Sequence, residues 1–352
     1  MSSDWIRRIF RRPLKNAPQA IATLEEKSLE EQNSIAQPST PIESKETTED
    51  QKIAYAEQLE SAFFSWLLNC PDSPNTGAQL EQSQAQQTLL KLIDHDLQNT
   101  ILIPRRPASL PMLIRLLNDE NSSHTQMSKI LLSDPALTSE ILKMANSPFY
   151  RSSSEDVESI EQAVLILGRQ GIRNIISTTI MMPMLKGEGA KEGPFSQRAW
   201  QWAQLSATAS NLYAQVKDRD PGPLYLLGLL PSLAYLVIYR ALLAYEKQHP
   251  ELGPIEPSLI RHIIEVRSWD FCHKIYAEWG LPPVCESYLS EAEKRSTNVV
   301  YSPLRDGITL SRYKLLCDLN ISPLNDTQLF NITSASMTTN NTVTELINNQ
   351  TS

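Results

Sequence analysis

Residues 131–150 read LLSDPALTSEILKMANSPFY, and residues 159–176 read SIEQAVLILGRQGIRNII. Both stretches carry the signals of helix starts. Asp134 followed by Pro135 places an N-cap residue before a proline at the first helical position, where the missing N–H costs nothing. Ser159 and Gln162 stand at capping-box spacing, and Gly168 stands where that helix should end.

Working outward, helical periodicity recurs while strand signals are nearly absent. Ala56, Leu59, Phe63, Trp66 and Leu67 form one apolar stripe, and Leu89, Leu90, Ile93 and Leu97 form a second. CPDSPNTGA, residues 70–78, separates them as a loop, so residues 51–100 are expected to form a helical hairpin. There is no sustained period-2 alternation and no Asn-Gly turn. The glycine-rich run KGEGAKEGP, residues 186–194, interrupts the chain before another helix around Trp200–Gln215. The expected fold class is all-α.

One segment requires arbitration. LYLLGLLPSLAYLVIY, residues 224–239, carries no charge and approaches the length of a membrane span. Gly228, Pro231 and Ser232 interrupt its middle, and proline inside a helix removes a hydrogen bond. Its neighbours are amphipathic, so the segment is expected to be a buried core helix.

The ends differ from the body. MSSDWIRRIFRRPLKN, residues 1–16, sets Trp5, Ile6, Ile9 and Phe10 at helical spacing among Arg7, Arg8, Arg11 and Arg12. Such a basic amphipathic segment suits an anionic membrane surface, with residues 1–12 as the peripheral contact, or a docking partner. Residues 17–50, rich in Glu, Ser, Thr, Gln and Pro, read as a disordered linker, and residues 331–352 as a disordered tail.

Composition excludes several functions. Of 352 residues, 32 are Lys or Arg and 40 are Asp or Glu, a formal net charge of -8. An acidic chain lacks the clustered cations that neutralise phosphates, so no nucleic-acid partner is expected. Cys70, Cys272, Cys285 and Cys317 include no CxxC pair, which fits buried thiols in a reduced cytoplasm better than a disulfide or zinc framework. His95 and Asp96 form a His-Asp dipeptide, but no further ligands are spaced to join them, and a solvated face is the simpler reading. His262 and His273 lie on one helix and read as satisfied side chains. No GxSxG, P-loop, GxGxxG or HExxH pattern occurs.

The centre of the chain resembles a known family. LIPRRPASLPMLIRLLND at residues 102–119, with the two stretches quoted first, resembles the start of HDOD domains, the HD-related output domains of bacterial signalling proteins. The matching positions are Asp134-Pro135, then Asn146-Ser147 with Phe149-Tyr150, then Ser159, Gln162 and Gly168. Trp202 and Ala207 resemble the family's Trp-x-His-Ser-x-Ala helix. Gly228-Leu229-Leu230 resembles its Gly-Leu-Leu-His-Asp-Ile-Gly turn, and Trp279-Gly280-Leu281-Pro282 its late Trp-x-Leu-Pro. The resemblance covers roughly residues 101–325, and a domain at 101–330 is expected.

The departures carry the functional expectation. Gln204 stands where the family often has histidine, and Pro231 and Ser232 stand where the His-Asp pair would be. Proline has no ligand atom, and the amide and hydroxyl are weak ligands. The resemblance thus implies a non-catalytic signalling module that binds a protein partner, with no cofactor, no metal and no enzymatic activity. The alternative is a metal-free nucleotide or cyclic-dinucleotide sensor with a vestigial pocket near Gln204 and Ser232, where Arg169 and Arg173 are candidate phosphate contacts. A residual phosphohydrolase is the least favoured reading.

Overall fold

The computed structural model describes residues 49–70, 84–98, 102–118, 124–133, 135–146, 156–187, 189–294, 301–334 and 337–351. The basic segment 1–16, Asp134, Ser147, Phe149 and Tyr150 lie outside the described residues. Among the described residues there are helices and no strands. In chain order they are α1 (Glu49–Leu68), α2 (Gln84–Gln98), α3 (Leu110–Asn118), α4 (His124–Leu131), α5 (Pro135–Ala145), α6 (Ile160–Met184), α7 (Gly189–Val216) and α8 (Leu224–Gln248). A 3₁₀ turn (Pro250–Leu252) precedes α9 (Pro257–Trp279), α10 (Pro283–Glu293), α11 (Pro303–Asp318), α12 (Asp326–Ile332) and α13 (Met337–Thr351).

Helix α7 is the axis of the fold, with α8 and α11 packed on it. Small residues explain how close they come. A Cβ on Gly228 of α8 would lie 2.6 Å from the Ala207 Cα and 2.8 Å from the Ser206 carbonyl oxygen. A Cβ on Gly307 of α11 would lie 2.5 Å from both the Cα and the N of Ser210. Trp202, Tyr213, Phe195 and Trp279 are fully buried, and large aromatic side chains dominate core energetics.

Helix α8 is a core helix, as its sequence suggests: 83% of its most apolar window is buried. It nevertheless runs unbroken through Pro231. The proline leaves the Leu227 carbonyl without its usual donor, a local loss that close packing on α7 and α9 outweighs.

Helix α6 opens as its sequence predicts. The Ser159 hydroxyl accepts from the Gln162 N–H at 3.2 Å, and Gln162 Oε1 accepts from the Glu158 N–H at 3.3 Å. Gly168 takes φ 64° and ψ 176°, so the first helical segment stops there, and a second continues directly to Met184. The positive φ is why glycine is needed at this break.

Four expectations require correction. Residues 331–352 are not a disordered tail: α12 reaches Ile332, and α13 packs on α7 with Val343, Leu346 and Ile347 at 0–1% exposure. Spaced i, i+3, i+4, these three apolar residues are too few to order an isolated helix, and the face of α7 supplies the missing burial. Residues 51–100 do not pair chiefly with each other. Helix α1 packs on α7, α11 and α12, whereas α2 packs on α8 and α9. Helix α1 also starts at Glu49, inside the segment read as linker, and α7 starts at Gly189, within the glycine-rich run read as an interruption. Arg198 of α7 closes the far end of α1 by donating to the Leu67 carbonyl at 2.8 Å.

Candidate functional site

The family-like positions in α7 and α8 have different surroundings. Ser232 is fully buried, and its hydroxyl donates to the Leu229 carbonyl of its own helix at 2.7 Å. Gln204 is half-buried, and its amide nitrogen is buried without a partner. Pro231 faces elsewhere, onto a cavity that neither Gln204 nor Ser232 lines. Among the described residues no group of three or more His, Cys, Asp and Glu is arranged to hold a metal ion. His95 is exposed, as its polar surroundings suggest. His273 lies between two carboxylates, with Nδ1 3.1 Å from Glu286 and Nε2 3.1 Å from Glu293.

The two candidate phosphate contacts separate. Arg173 is 6% exposed, and its Nε and Nη2 donate to the Leu116 carbonyl at 3.0 and 2.6 Å. It caps the last turn of α3 from inside the core, so these two donors are committed to structure. Arg169 is half-buried on the second segment of α6, and neither arginine lines the cavity that Pro231 faces.

Asn146 is a clamp. Its Nδ2 donates to the Leu142 and Val157 carbonyls at 3.0 and 2.8 Å, and its Oδ1 accepts from the Val157 N–H at 2.6 Å. Trp279 ties the other end of the domain together by donating to the Pro104 carbonyl at 3.0 Å. These motif residues serve packing and chain closure.

Beside Pro231 lies a cavity of about 370 Å³, lined by residues of α1, α8, α9, α10, α11 and α12. Among its lining residues is an ion pair that the sequence does not announce, between a buried arginine and a partly exposed glutamate. Arg312 of α11, 9% exposed, donates from Nη1 to Glu60 Oε1 at 3.0 Å and from Nη2 to the Tyr235 hydroxyl at 2.7 Å. Its guanidinium lies 4.8 Å from the Phe63 ring centroid and 5.4 Å from that of Trp202, within cation–π range. Burial opposes the Arg312 charge, but Tyr235 and Glu60 outweigh it and raise the guanidinium above its ordinary value. Burial likewise pushes Tyr235 up to about 12, although Arg312 pulls in the other direction. The Cys272 thiol in the cavity wall is raised by burial and is a poor nucleophile.

A signal for this pair does exist in the sequence. Glu60 shares a helical face with Phe63, Phe64 and Leu67, and Arg312 shares one with Ile308, Leu315 and Leu316. A single charge on an apolar stripe calls for an opposite partner, because an unpaired buried charge is costly.

A model of the HDOD domain matches residues 103–293, more than half of the chain. Among solved structures, an HDOD domain protein of unknown function from Geobacter sulfurreducens is 18% identical. The match covers 74% of this chain and 94% of that one, with a TM-score of 0.52. A candidate phosphohydrolase from Shewanella amazonensis SB2B is 19% identical over 73% of this chain and 93% of that one, with a TM-score of 0.51. A candidate signal transduction protein from Marinobacter aquaeolei VT8 is 17% identical over 87% and 68%, with a TM-score of 0.48. No curated protein matches the chain. At these identities the structural likeness is one of fold.

Proposed function

Because the chain belongs to the HDOD domain family, we propose that it is a non-catalytic signal-transduction module, a helical platform that binds a signalling protein in the cytoplasm. The observation that carries this reading is the state of the three degenerate positions. Pro231 offers no ligand atom, the Ser232 hydroxyl is committed to Leu229, and Gln204 supplies only a neutral amide. Activating water through a divalent ion at neutral pH calls for imidazole and carboxylate ligands, and these positions provide neither. Regulatory binding needs only a rigid, correctly shaped surface. The described surface has apolar points for one, including Leu165 of α6 at 65% exposure.

The test uses the full chain. Purified protein should contain divalent metal well below one equivalent, and added manganese should not induce hydrolysis of phosphate monoesters or diesters. Used as bait in its native lysate, the chain should recover one protein at near-equal stoichiometry, and the same pair should be recovered when that protein is the bait. Stoichiometric metal with manganese-dependent turnover would overturn the non-catalytic assignment. Recovery of no reciprocal partner would overturn the platform.

A further inference from the structure

The cavity beside Pro231 reaches the surface at Ile53, Glu57 and Glu293, three lining residues that are exposed. Two chemistries meet there. Trp269 and Ile332 add apolar surface to Ile53, which is 51% exposed and leaves a large aliphatic side chain uncovered at the mouth. The carboxylates of Glu49, Glu57, Glu60 and Glu293 outnumber the cations of Lys52, Arg305 and Arg312.

Those cations are engaged. Arg312 donates to Glu60 at 3.0 Å, Lys52 Nζ lies 3.5 Å from Glu49, and Arg305 Nη1 donates to the Lys294 carbonyl at 2.7 Å. Glu57 and Glu293 are left at the mouth without a lysine or arginine among the printed ion pairs of the cavity wall. Negative charge continues past the lining. Asp270, next to Trp269, is held above the ordinary carboxylate range, first by partial burial and then by the Glu293 and Asp94 carboxylates, against the pull of Arg267. The fitting occupant presents large apolar side chains together with cations.

This chain carries such a segment. Residues 5–12, WIRRIFRR, set Trp5, Ile6, Ile9 and Phe10 among Arg7, Arg8, Arg11 and Arg12. Residues 13–48 join them to Glu49, where α1 begins, and Glu49 is itself a lining residue. The segment is therefore tethered at the mouth of the cavity. A tether gives an effective concentration of about 1 mM, so an intrinsic dissociation constant of about 0.1 mM keeps roughly nine-tenths of the molecules docked. The volume of about 370 Å³ suits one or two large side chains rather than a whole helix.

We propose that residues 5–12 dock in this cavity of their own chain, with Trp5 and its apolar neighbours against Ile53, Trp269 and Ile332 and the arginines against Glu57 and Glu293. Docking withholds the basic segment from any anionic surface or partner until it is released. The contact is separate from the proposed protein-binding role and stands or falls independently of it.

The test is fluorine NMR of the full chain labelled with 5-fluorotryptophan. The chain has six tryptophans, and Trp5→Phe identifies the Trp5 line. That line should be displaced from its position in the synthetic peptide 1–16, and a soluble gadolinium chelate should relax it several-fold less. Glu57→Lys with Glu293→Lys, both at exposed positions, should return the line to the peptide position while the helical circular dichroism is unchanged. Arg7→Gln, Arg8→Gln, Arg11→Gln and Arg12→Gln together should do the same from the other side of the contact, without altering the described helices. Glu161→Lys, an exposed charge reversal on α6 away from the cavity, should leave the line displaced. A Trp5 line already at the peptide position leaves the segment free for a membrane or another protein and overturns the proposal. So does a displaced line that survives both sets of charge changes. A line that returns to the peptide position on dilution overturns it too, because the segment then docks on a second copy.

Discussion

Asn146 and Val157 are joined edge to edge across eleven residues of chain: the Asn146 amide donates to the Val157 carbonyl at 2.8 Å and accepts from its N–H at 2.6 Å. A side chain here does what a strand partner would do, pinning the end of α5 to the chain that enters α6. A third bond, to the Leu142 carbonyl, fixes the amide orientation.

Asn146→Asp removes both donors and sets a carboxylate against two carbonyl oxygens. A loss of about 2–4 kcal/mol is expected, since each buried bond contributes about 1 kcal/mol and its unpaired partner adds a desolvation cost. In urea denaturation the midpoint should fall with little change in slope. An unchanged midpoint would show that Val157 is held by other means.

Gly228→Ala and Gly307→Ala should each be strongly destabilising, because the added methyl meets backbone atoms of α7, which cannot rotate away. Overpacking of this kind costs about 1–3 kcal/mol or more. Thermal melts of the two variants against the parent chain make the comparison.

Leu346→Ala should lower stability by about 2–4 kcal/mol, the usual cost of emptying a fully buried leucine site. Removal of residues 337–352 should cost more, and should also strip Tyr213 of the Asn340 oxygen to which its hydroxyl donates at 2.5 Å. If the truncated chain melts with the intact one, α13 is not part of the cooperative unit.

Alkaline pH should unfold the protein through its buried phenols. Burial raises Tyr225, despite its bond to Thr178, and Tyr235 to about 12 each. A raised folded value means that the unfolded chain releases its proton first, so this stability is complete below about pH 10 and is lost as pH rises from about 10 to 12. Tyr225→Phe removes one such group and should move the alkaline midpoint of the near-ultraviolet circular dichroism upward. The same variant at pH 7 should lose only the Thr178 contact.

Much of the helical body was legible because its signals are local. Ser159 with Gln162, Pro135 at a first helical position and the stripe around Phe63 each act within a few residues, and each appears in the structure as read. The candidate site was much less legible. Arg169 and Arg173 have the same chemistry in sequence, yet Arg173 is consumed by the Leu116 carbonyl 57 residues away. Gln204 and Ser232 stand apart from the cavity, which takes in their neighbour Pro231 instead.

The sequence by itself determined the all-α class, the family, the helix starts at Pro135 and Ile160 and the absence of imidazole and carboxylate at positions 204, 231 and 232. These follow from local propensity and from residue identity, which need no knowledge of neighbours. Tertiary structure alone decided that α13 is a helix, that α1 belongs to the core rather than to a hairpin, and that Glu60 meets Arg312 across 252 residues. The reason is one of energy rather than of pattern. A short polar helix and a buried charge are each unfavourable alone, and only the surface of α7 and an opposite charge brought by packing make them stable.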